Sequence, residues 1–289
     1  MKILLTGNTG QLGYELERSL QGLGEIVALG RGELDLSNLD QIRDVIRTVK
    51  PGLIVNPAAY TAVDKAEAEV ELAMRINAEA PAVMAQEAKT LGAAMIHYST
   101  DYVFDGTKGS PYVEDDPTCP INVYGRSKLA GEQAIQAAGI SHLIFRTSWV
   151  YGMRGKNFLL TVLRLAQERE ELRIVGDQHG SPTWCRSIAD TTAHILAQTQ
   201  ASGDLQSWWQ RHSGVYHLTA QGQTTWAGFT QAILDNAALA KSPVVTAITT
   251  DAYPLPAPRP AYSVLSCERL KQAFCDLPAW DDALRLCMH

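Results

Sequence analysis

The sequence predicts an α/β fold, a doubly wound parallel sheet followed by a smaller C-terminal domain. Three observations lead there. Short runs of apolar residues recur along the first half and alternate with stretches of helical periodicity. Those runs are apolar on both faces, as strands are when helices cover a parallel sheet from both sides. A glycine-rich turn stands directly after the first run, at the junction where a strand hands over to a helix.

Taken in order, Ile3-Leu4-Leu5 is the first strand, and Leu12, Leu16 and Leu20 follow at four-residue spacing on one helix face. Ile26 to Leu29 is the second strand. Leu39, Ile42, Val45, Ile46 and Val49 then have helical spacing, with Ser37 and Asp40 expected as a capping pair. Leu53-Ile54-Val55, Met95-Ile96 and Leu143-Ile144-Phe145 are further buried strands. Beyond about residue 150 the alternation loosens. Helices are expected over 158–168 and 188–199, with loops at Asp177 to Thr183 and Pro254 to Pro260. Ala201 to Gly214, which carries Trp208-Trp209, reads as an excursion on the surface.

The 289 residues are 46% hydrophobic and 19% charged, an ordinary globular composition with material for a sizeable core. A net charge of −6 argues against nucleic acid or an anionic membrane as partner, since both need a concentrated basic surface. It leaves room for a phosphate-bearing small molecule. The five cysteines are odd in number and form no C-x-x-C pair, so neither a disulfide framework nor a structural zinc is expected. No apolar run approaches a signal peptide or membrane span, and a cytoplasmic protein is expected.

Gly7, Gly10 and Gly13 make a G-x-x-G-x-x-G turn, with Gln11 and Leu12 opening the helix behind it. Glycines let the backbone approach a pyrophosphate, and the helix start offers free N–H groups to its charge. That position favours a Rossmann-type dinucleotide site over a plain turn. Residues 1–149 are then the dinucleotide-binding domain, and 150–289 a substrate-binding domain exchanging segments with it. Asp35, with Leu36 beside it, either hydrogen-bonds adenine or ribose, or serves a helix-capping turn. Arg31 follows the second strand, with no acid at the strand's tip, and suits the 2′-phosphate of NADP. NADPH is therefore the expected cofactor, with NADH left open; the bland alternative for Arg31 is a solvated surface arginine.

Tyr124 and Lys128 stand four residues apart, so on a helix they share one face. A free phenol ionises near pH ~10, and a neighbouring ammonium lowers that value. Tyr124 is then expected to protonate a carbonyl oxygen as hydride reaches its carbon. Alone, Y-x-x-x-K is usually a surface pair. Here it follows Ser99 and Thr100, which should end a parallel strand at the edge where ligands gather. A hydroxyl there can orient a carbonyl toward Tyr124, or simply cap the next loop.

These segments resemble the extended short-chain dehydrogenase/reductase superfamily, and within it the dTDP-4-dehydrorhamnose reductase family. The resemblance spans nearly the whole chain: Leu5 to Gly13, Asn56 to Glu67, His97 to Gly106, Tyr124 to Glu132, Arg146 to Gly152, Gly176 to Thr183, and Arg259-Pro260. It implies reduction of the C4 ketone of dTDP-4-dehydro-L-rhamnose by NADPH in dTDP-rhamnose biosynthesis. Thr100, Tyr124 and Lys128 would be the catalytic residues. Thr100, Asp101, Tyr124 and Trp149 would meet the substrate, although an isolated tryptophan is more often a core aromatic. Ala58, Ala59, Tyr60 and Tyr98 would pass beside the cofactor, Lys128 would hold its nicotinamide ribose, and Asn157 and Arg259 would reach the nucleotide diphosphate.

Some family members bridge a dimer through magnesium with an acid just past the S-P-T stretch. Here that stretch continues Thr183-Trp184-Cys185-Arg186, so although Glu15 is present, no metal is expected and a homodimer is left open. Two other readings stand beside the reductase. One is a nucleotide-sugar epimerase or dehydratase, which shares the glycine loop and the Tyr/Lys pair. The other is a non-catalytic dinucleotide-binding protein like the regulatory subunit of methionine adenosyltransferase.

Overall fold

The computed structural model describes residues 1–289. Five strands alternate with helices as expected: β1 (Lys2–Thr6), β2 (Glu25–Leu29), β3 (Leu53–Asn56), β4 (Ala94–Thr100) and β5 (His142–Thr147). All pair in parallel in the order β5-β4-β3-β1-β2, and strand Gly214–His217 joins in parallel beside β5 as the sixth. The order reverses between β1 and β3. In an open parallel sheet that reversal leaves a crevice at the carboxyl edge, where ligands bind.

Alternation along β1 explains why the sheet is covered on both sides. Ile3 and Leu5 enter one apolar cluster, with Leu12 and Leu16 from α1 (Gln11–Ser19), Leu20 at its C-cap, and Ile188 and Ile195 from helix Cys185–Ala201. Leu4 points the other way, into a cluster with Ile42 and Ile46 of α2 (Leu39–Val49), Met84 of helix Ala80–Leu91 and Ile135 of helix Val123–Ala138. Each such side chain, fully buried, contributes roughly 1.5–3 kcal/mol. A third cluster unites Tyr151, Leu159, Val162, Phe229, Ile233 and Leu284 in the second half. Beside it, Glu171–Val175 pairs in parallel with Val244–Ile248. Two segments of the second half, Cys185–Ala201 and Gly214–His217, thus lie against the sheet of the first.

Two local expectations are corrected. The N-cap of α2 is Asn38, whose side chain accepts from Gln41 N at 3.0 Å, while Ser37 turns back to Asp35. One short acceptor at the helix start suffices, and Asn38 occupies the extended backbone position that aims it. The stretch 201–214 contains a helix, Leu205–His212, that buries Trp208 and Trp209 at 4% and 9% exposure. Its flanking polar residues look like a loop, but the indoles have large apolar surfaces that pack with Phe274 and Tyr216 against the sheet. No helix is long and apolar enough to cross a membrane.

Trp208→Ala is expected to lower stability by about 3–5 kcal/mol through the cavity left behind. A urea-unfolding midpoint close to the parent's would show that this helix does not belong to the core.

Candidate active site

The crevice is built first from the glycine turn. β1 ends at Thr6, and Gly7 adopts φ +61°, turning the chain so that Gly10 N donates to Gly7 O at 2.9 Å. The first bond of α1 is Tyr14 N to Gly10 O at 3.0 Å, and Gly10 supplies no side-chain cap. The N–H groups of Gln11, Leu12 and Gly13 are therefore left to whatever lies before the helix. A Cβ on Gly13 would stand 2.1 Å from Gly7 O, so the turn can close this tightly only with glycine there. Free donors, a helix N-terminus and no acid in its first turn fit the pyrophosphate of a dinucleotide. Ala58 forms the adjoining wall, since a Cβ on Gly7 would meet its Cβ at 2.8 Å, and the partly exposed Ala59 and Tyr60 continue it.

At the tip of β2, Arg31 is exposed. An acid does stand near that tip: Glu33 folds back to accept from Gly30 N at 2.8 Å, a residue sequence reading passed over. Asp35 turns its carboxylate to Ser37, accepting from its N at 3.0 Å and its Oγ at 2.8 Å, which holds its pKa below the ordinary value. Leu36 is buried in the core beside Ile42. Of the two Asp35 alternatives, the local turn is the one its hydrogen bonds serve.

The second part of the site is the end of β4. Thr100 accepts from Tyr102 N at 3.1 Å and donates to Asp101 Oδ1 at 3.0 Å. Asp101 is 3% exposed and accepts from Ser148 Oγ at 3.0 Å; burial pushes its carboxyl up to about 6, with hydrogen bonds from Ser263, Thr100 and Ser148 opposing. Helix Val123–Ala138 starts with Asn122 as its cap, accepting from Gly125 N at 2.8 Å. A Cβ on Gly125 would stand 2.2 Å from Tyr102 O, so glycine alone lets the helix lie against the turn after β4. That approach brings Tyr124 beside Thr100.

Lys128 lies one turn further on and is 1% exposed. Its ammonium donates to Tyr98 O at 2.7 Å and stands 3.2 Å from His97 Nε2. Burial brings its pKa down to about 8, opposed by Glu132, whose carboxylate is itself held by Arg146 at 2.7 Å. The expected acidification of Tyr124 by Lys128 is not what this arrangement produces. The phenol is pushed up to about 12 by burial, with the Thr100 hydroxyl lowering it and the Asp101 carboxylate raising it. The ammonium is directed beneath β4 instead. Tyr98 meets Lys128 through its carbonyl, while its ring is packed in the core and its hydroxyl lies 2.8 Å from Thr192 Oγ1.

Residues from the second half border the crevice. Trp149 has φ +45°, an uncommon conformation for a bulky residue, and stacks on Trp226 with centroids 3.5 Å apart. Asn157 caps helix Phe158–Glu168 and donates to Gln11 Oε1 at 2.8 Å, tying this half to the glycine turn. Arg259 grips Asp64 with two bonds of 2.6 and 2.8 Å. Sequence reading missed Asn77, which sits in a π-helical turn (Arg75–Glu79) and clamps Tyr60 by its N and O while donating to Ser127 Oγ. It also missed Ser148, Ser263 and Trp226. No local pattern marks any of these, because each gains its role from a contact distant in sequence. No group of three or more His, Cys, Asp and Glu side chains is arranged to hold a metal ion.

A switch-point crevice, a helix-borne anion cradle and a Thr/Tyr/Lys cluster at one sheet edge define a short-chain-dehydrogenase-type oxidoreductase. The particular family follows from comparison with known proteins. The chain belongs to the dTDP-4-dehydrorhamnose reductase family: the family model described as RmlD substrate binding domain matches residues 1–289. It is 53% identical over 300 residues to dTDP-4-dehydrorhamnose reductase of Burkholderia thailandensis, covering 100% of this chain and 98% of that one. It is 46% identical over 289 residues to the Escherichia coli K12 enzyme of the same name, covering 97% and 94%. A crystal structure of the Bacillus anthracis dTDP-4-dehydrorhamnose reductase, in complex with NADP, superposes with a TM-score of 0.90 at 34% identity, covering 99% and 98%.

The Asp101 environment carries a stability consequence. Its folded-state pKa lies above that of an unfolded aspartate, so its contribution is complete below about pH 4 and is lost as pH rises through about 6. Asp101→Asn is expected to be more stable than the parent above about pH 7, by on the order of 2–3 kcal/mol, and equal to it below about pH 4. Urea unfolding across that range checks this; a pH-independent difference would show that Asp101 titrates alike in both states.

Proposed function

We propose that this protein reduces the C4 ketone of dTDP-4-dehydro-L-rhamnose to dTDP-L-rhamnose with NADPH, Tyr124 being the proton donor. The observation that carries this reading is the meeting of Tyr124 and Thr100 at the carboxyl edge of β4, on the same edge as the glycine turn after β1. The relatives' shared name and the NADP complex of the Bacillus anthracis protein supply the substrate and the cofactor.

The chain's groups divide the work. Gln11, Leu12 and Gly13 receive the pyrophosphate on free backbone donors, in the turn that Gly7 and Gly10 form. Arg31, exposed at the tip of β2, meets the 2′-phosphate, while Glu33 and Asp35 nearby keep NADH in play. Ala58, Ala59 and Tyr60 flank the dinucleotide, and Lys128, held under Tyr98, takes the nicotinamide ribose hydroxyls. A bound reduced nicotinamide supplies hydride to C4. The Thr100 hydroxyl, turned from Asp101, donates to the ketone oxygen, and Tyr124 gives that oxygen a proton as negative charge grows there. A phenol with its pKa pushed up to about 12 is protonated at neutral pH, the state a donor needs. Asp101 and the Trp149 ring border the sugar.

Purified protein given the ketone and NADPH should consume one reduced nicotinamide per ketone, followed by absorbance. Recycling of the dinucleotide with no net consumption would favour the epimerase or dehydratase reading. Tyr124→Phe should keep NADPH affinity and lose turnover by roughly 10²–10⁴-fold; near-parental turnover would remove Tyr124 from its role. Gly13→Val is expected to abolish NADPH binding, because its Cβ would drive into Gly7 O at 2.1 Å and displace the turn. Fluorescence titration with NADPH reads this directly, and unaltered affinity would move the pyrophosphate elsewhere.

A further inference from the structure

Outside glycine, Lys50 and Trp149 are the residues with a left-handed backbone. Lys50 ends α2 at the surface, a common place for that conformation. Trp149 ends no helix; it lies between β5 and the short strand Val150–Tyr151. A bulky residue persists at φ +45° only where its surroundings over-determine it. Here its backbone is tied on both sides. Ser148 Oγ donates to Asp101 Oδ2 at 3.0 Å, and Trp149 O accepts from Thr183 N at 3.2 Å.

The ring is fixed from elsewhere, by a small antiparallel ribbon. Gly180 pairs with Thr224, and His179 with Thr225. The pairing runs one step further through side chains, since Trp226 Nε1 donates to Gln178 Oε1 at 3.2 Å. One strand of the ribbon therefore presents Gly180, the other leads directly into Trp226, and both meet the same indole. Trp226 stacks on Trp149 with 7° between the planes. A Cβ on Gly180 would lie 2.4 Å from Trp149 Cε2 and 2.6 Å from Nε1. The φ of Gly180 is outside the left-handed region, so space and not conformation requires glycine there.

The ribbon is itself anchored to the site. His179 O accepts from Ser263 N at 2.8 Å, and Ser263 bonds the Asp101 carboxylate. Core packing alone does not account for the stack. Tyr151, Leu159 and Phe229 of the adjoining cluster are at most 1% exposed, whereas Trp226, at its margin, and Trp149 both stay partly exposed. Nothing in the proposed reduction uses Gly180 or Trp226.

We infer that Gly180 and Trp226 are positioning residues for the sugar end of the substrate. The ribbon that carries them sets where the Trp149 ring stands, and thereby how tightly the nucleotide sugar is held. This rests on the role given to Trp149 in the proposed reduction. Neither residue meets the reacting atoms; each acts through Trp149. A ring that borders the sugar before and during hydride transfer alike affects KM rather than kcat.

The test is a double-variant cycle, run on KM for dTDP-4-dehydro-L-rhamnose and, without turnover, on calorimetric affinity for dTDP-L-rhamnose. Trp226→Leu removes the stack and should raise KM roughly threefold to tenfold, with kcat and NADPH affinity near the parent's. Trp226→Phe keeps an aromatic face and should recover most of that loss. Gly180→Ala leaves both indoles in the chain but displaces Trp149, and should raise KM likewise. In protein already carrying Trp149→Leu, neither change should have any further effect, because the ring they place is gone. General damage to the fold would add to the Trp149→Leu loss instead. Undiminished effects beside Trp149→Leu overturn the inference, as do a parental KM in both single variants or a loss confined to kcat. Should Trp226→Leu fail to fold, Gly180→Ala decides by the same cycle. If the cycle holds on dTDP-L-rhamnose binding but the ketone is not reduced, the proposed reaction fails and the positioning of Trp149 stands. A parent that binds no dTDP-L-rhamnose overturns the inference, since Trp149 would then border no such sugar.

Discussion

Everything at the site depends on how closely one helix approaches one turn. Gly125 lies so near the segment after β4 that any side chain there would overlap Tyr102 O, at 2.2 Å from the Cβ position. Because that space is free, the helix starting at Val123 sets Tyr124 beside Thr100 and slides Lys128 under the β4 backbone, where Tyr98 O receives it. The helix is held from its other side by the π turn, whose Asn77 bonds Ser127. A helix displaced by even a side chain's width would leave a phenol and an ammonium on one face, but neither against the sheet edge.

Burial then sets the chemistry of those groups. It acts in opposite senses on acids and bases, raising Asp101 to about 6 and lowering Lys128 to about 8, so both are drawn toward neutrality. Each is kept from unpaired burial by hydroxyl, carbonyl or imidazole partners rather than by an opposite charge. Full ion pairing is used further away: Arg146 and Glu132 close on each other, almost wholly buried, and breaking such a pair typically costs about 3–5 kcal/mol. That pairing withholds from Lys128 the carboxylate closest to it in sequence. Asn157 ties the second half of the chain to Gln11 of the glycine turn, and Ser148, just after β5, is tied to Asp101 at the β4 edge.

The site was legible in part, and the division has a physical pattern. The Tyr124–Lys128 spacing announces a shared face because helical periodicity is local, yet the direction of the lysine depends on Tyr98 O and His97, thirty and thirty-one residues away on another element. Asp35 was ambiguous between two uses, and its hydrogen bonds to Ser37 resolve it toward the local one. Trp149 was legible as an aromatic, but its stack on Trp226 joins segments that no local spacing connects. Trp208 and Trp209 were set on the surface by the company they keep in sequence, and their burial under the sheet reverses that.

By itself, the sequence determined the alternation of strands and helices, the parallel sheet covered on both faces, and the glycine turn that leaves a helix start open to an anion. These follow from short-range sterics, hydrogen bonding and the period of apolar residues, all of which act within a few positions along the chain. Tertiary structure alone decided which polar groups were stripped of water and which atoms replaced it. The raised pKa of Asp101 and the direction of Lys128 belong to that class. The free energy of a buried polar group depends on every neighbour within a few ångströms, and those neighbours come from segments that spacing cannot connect.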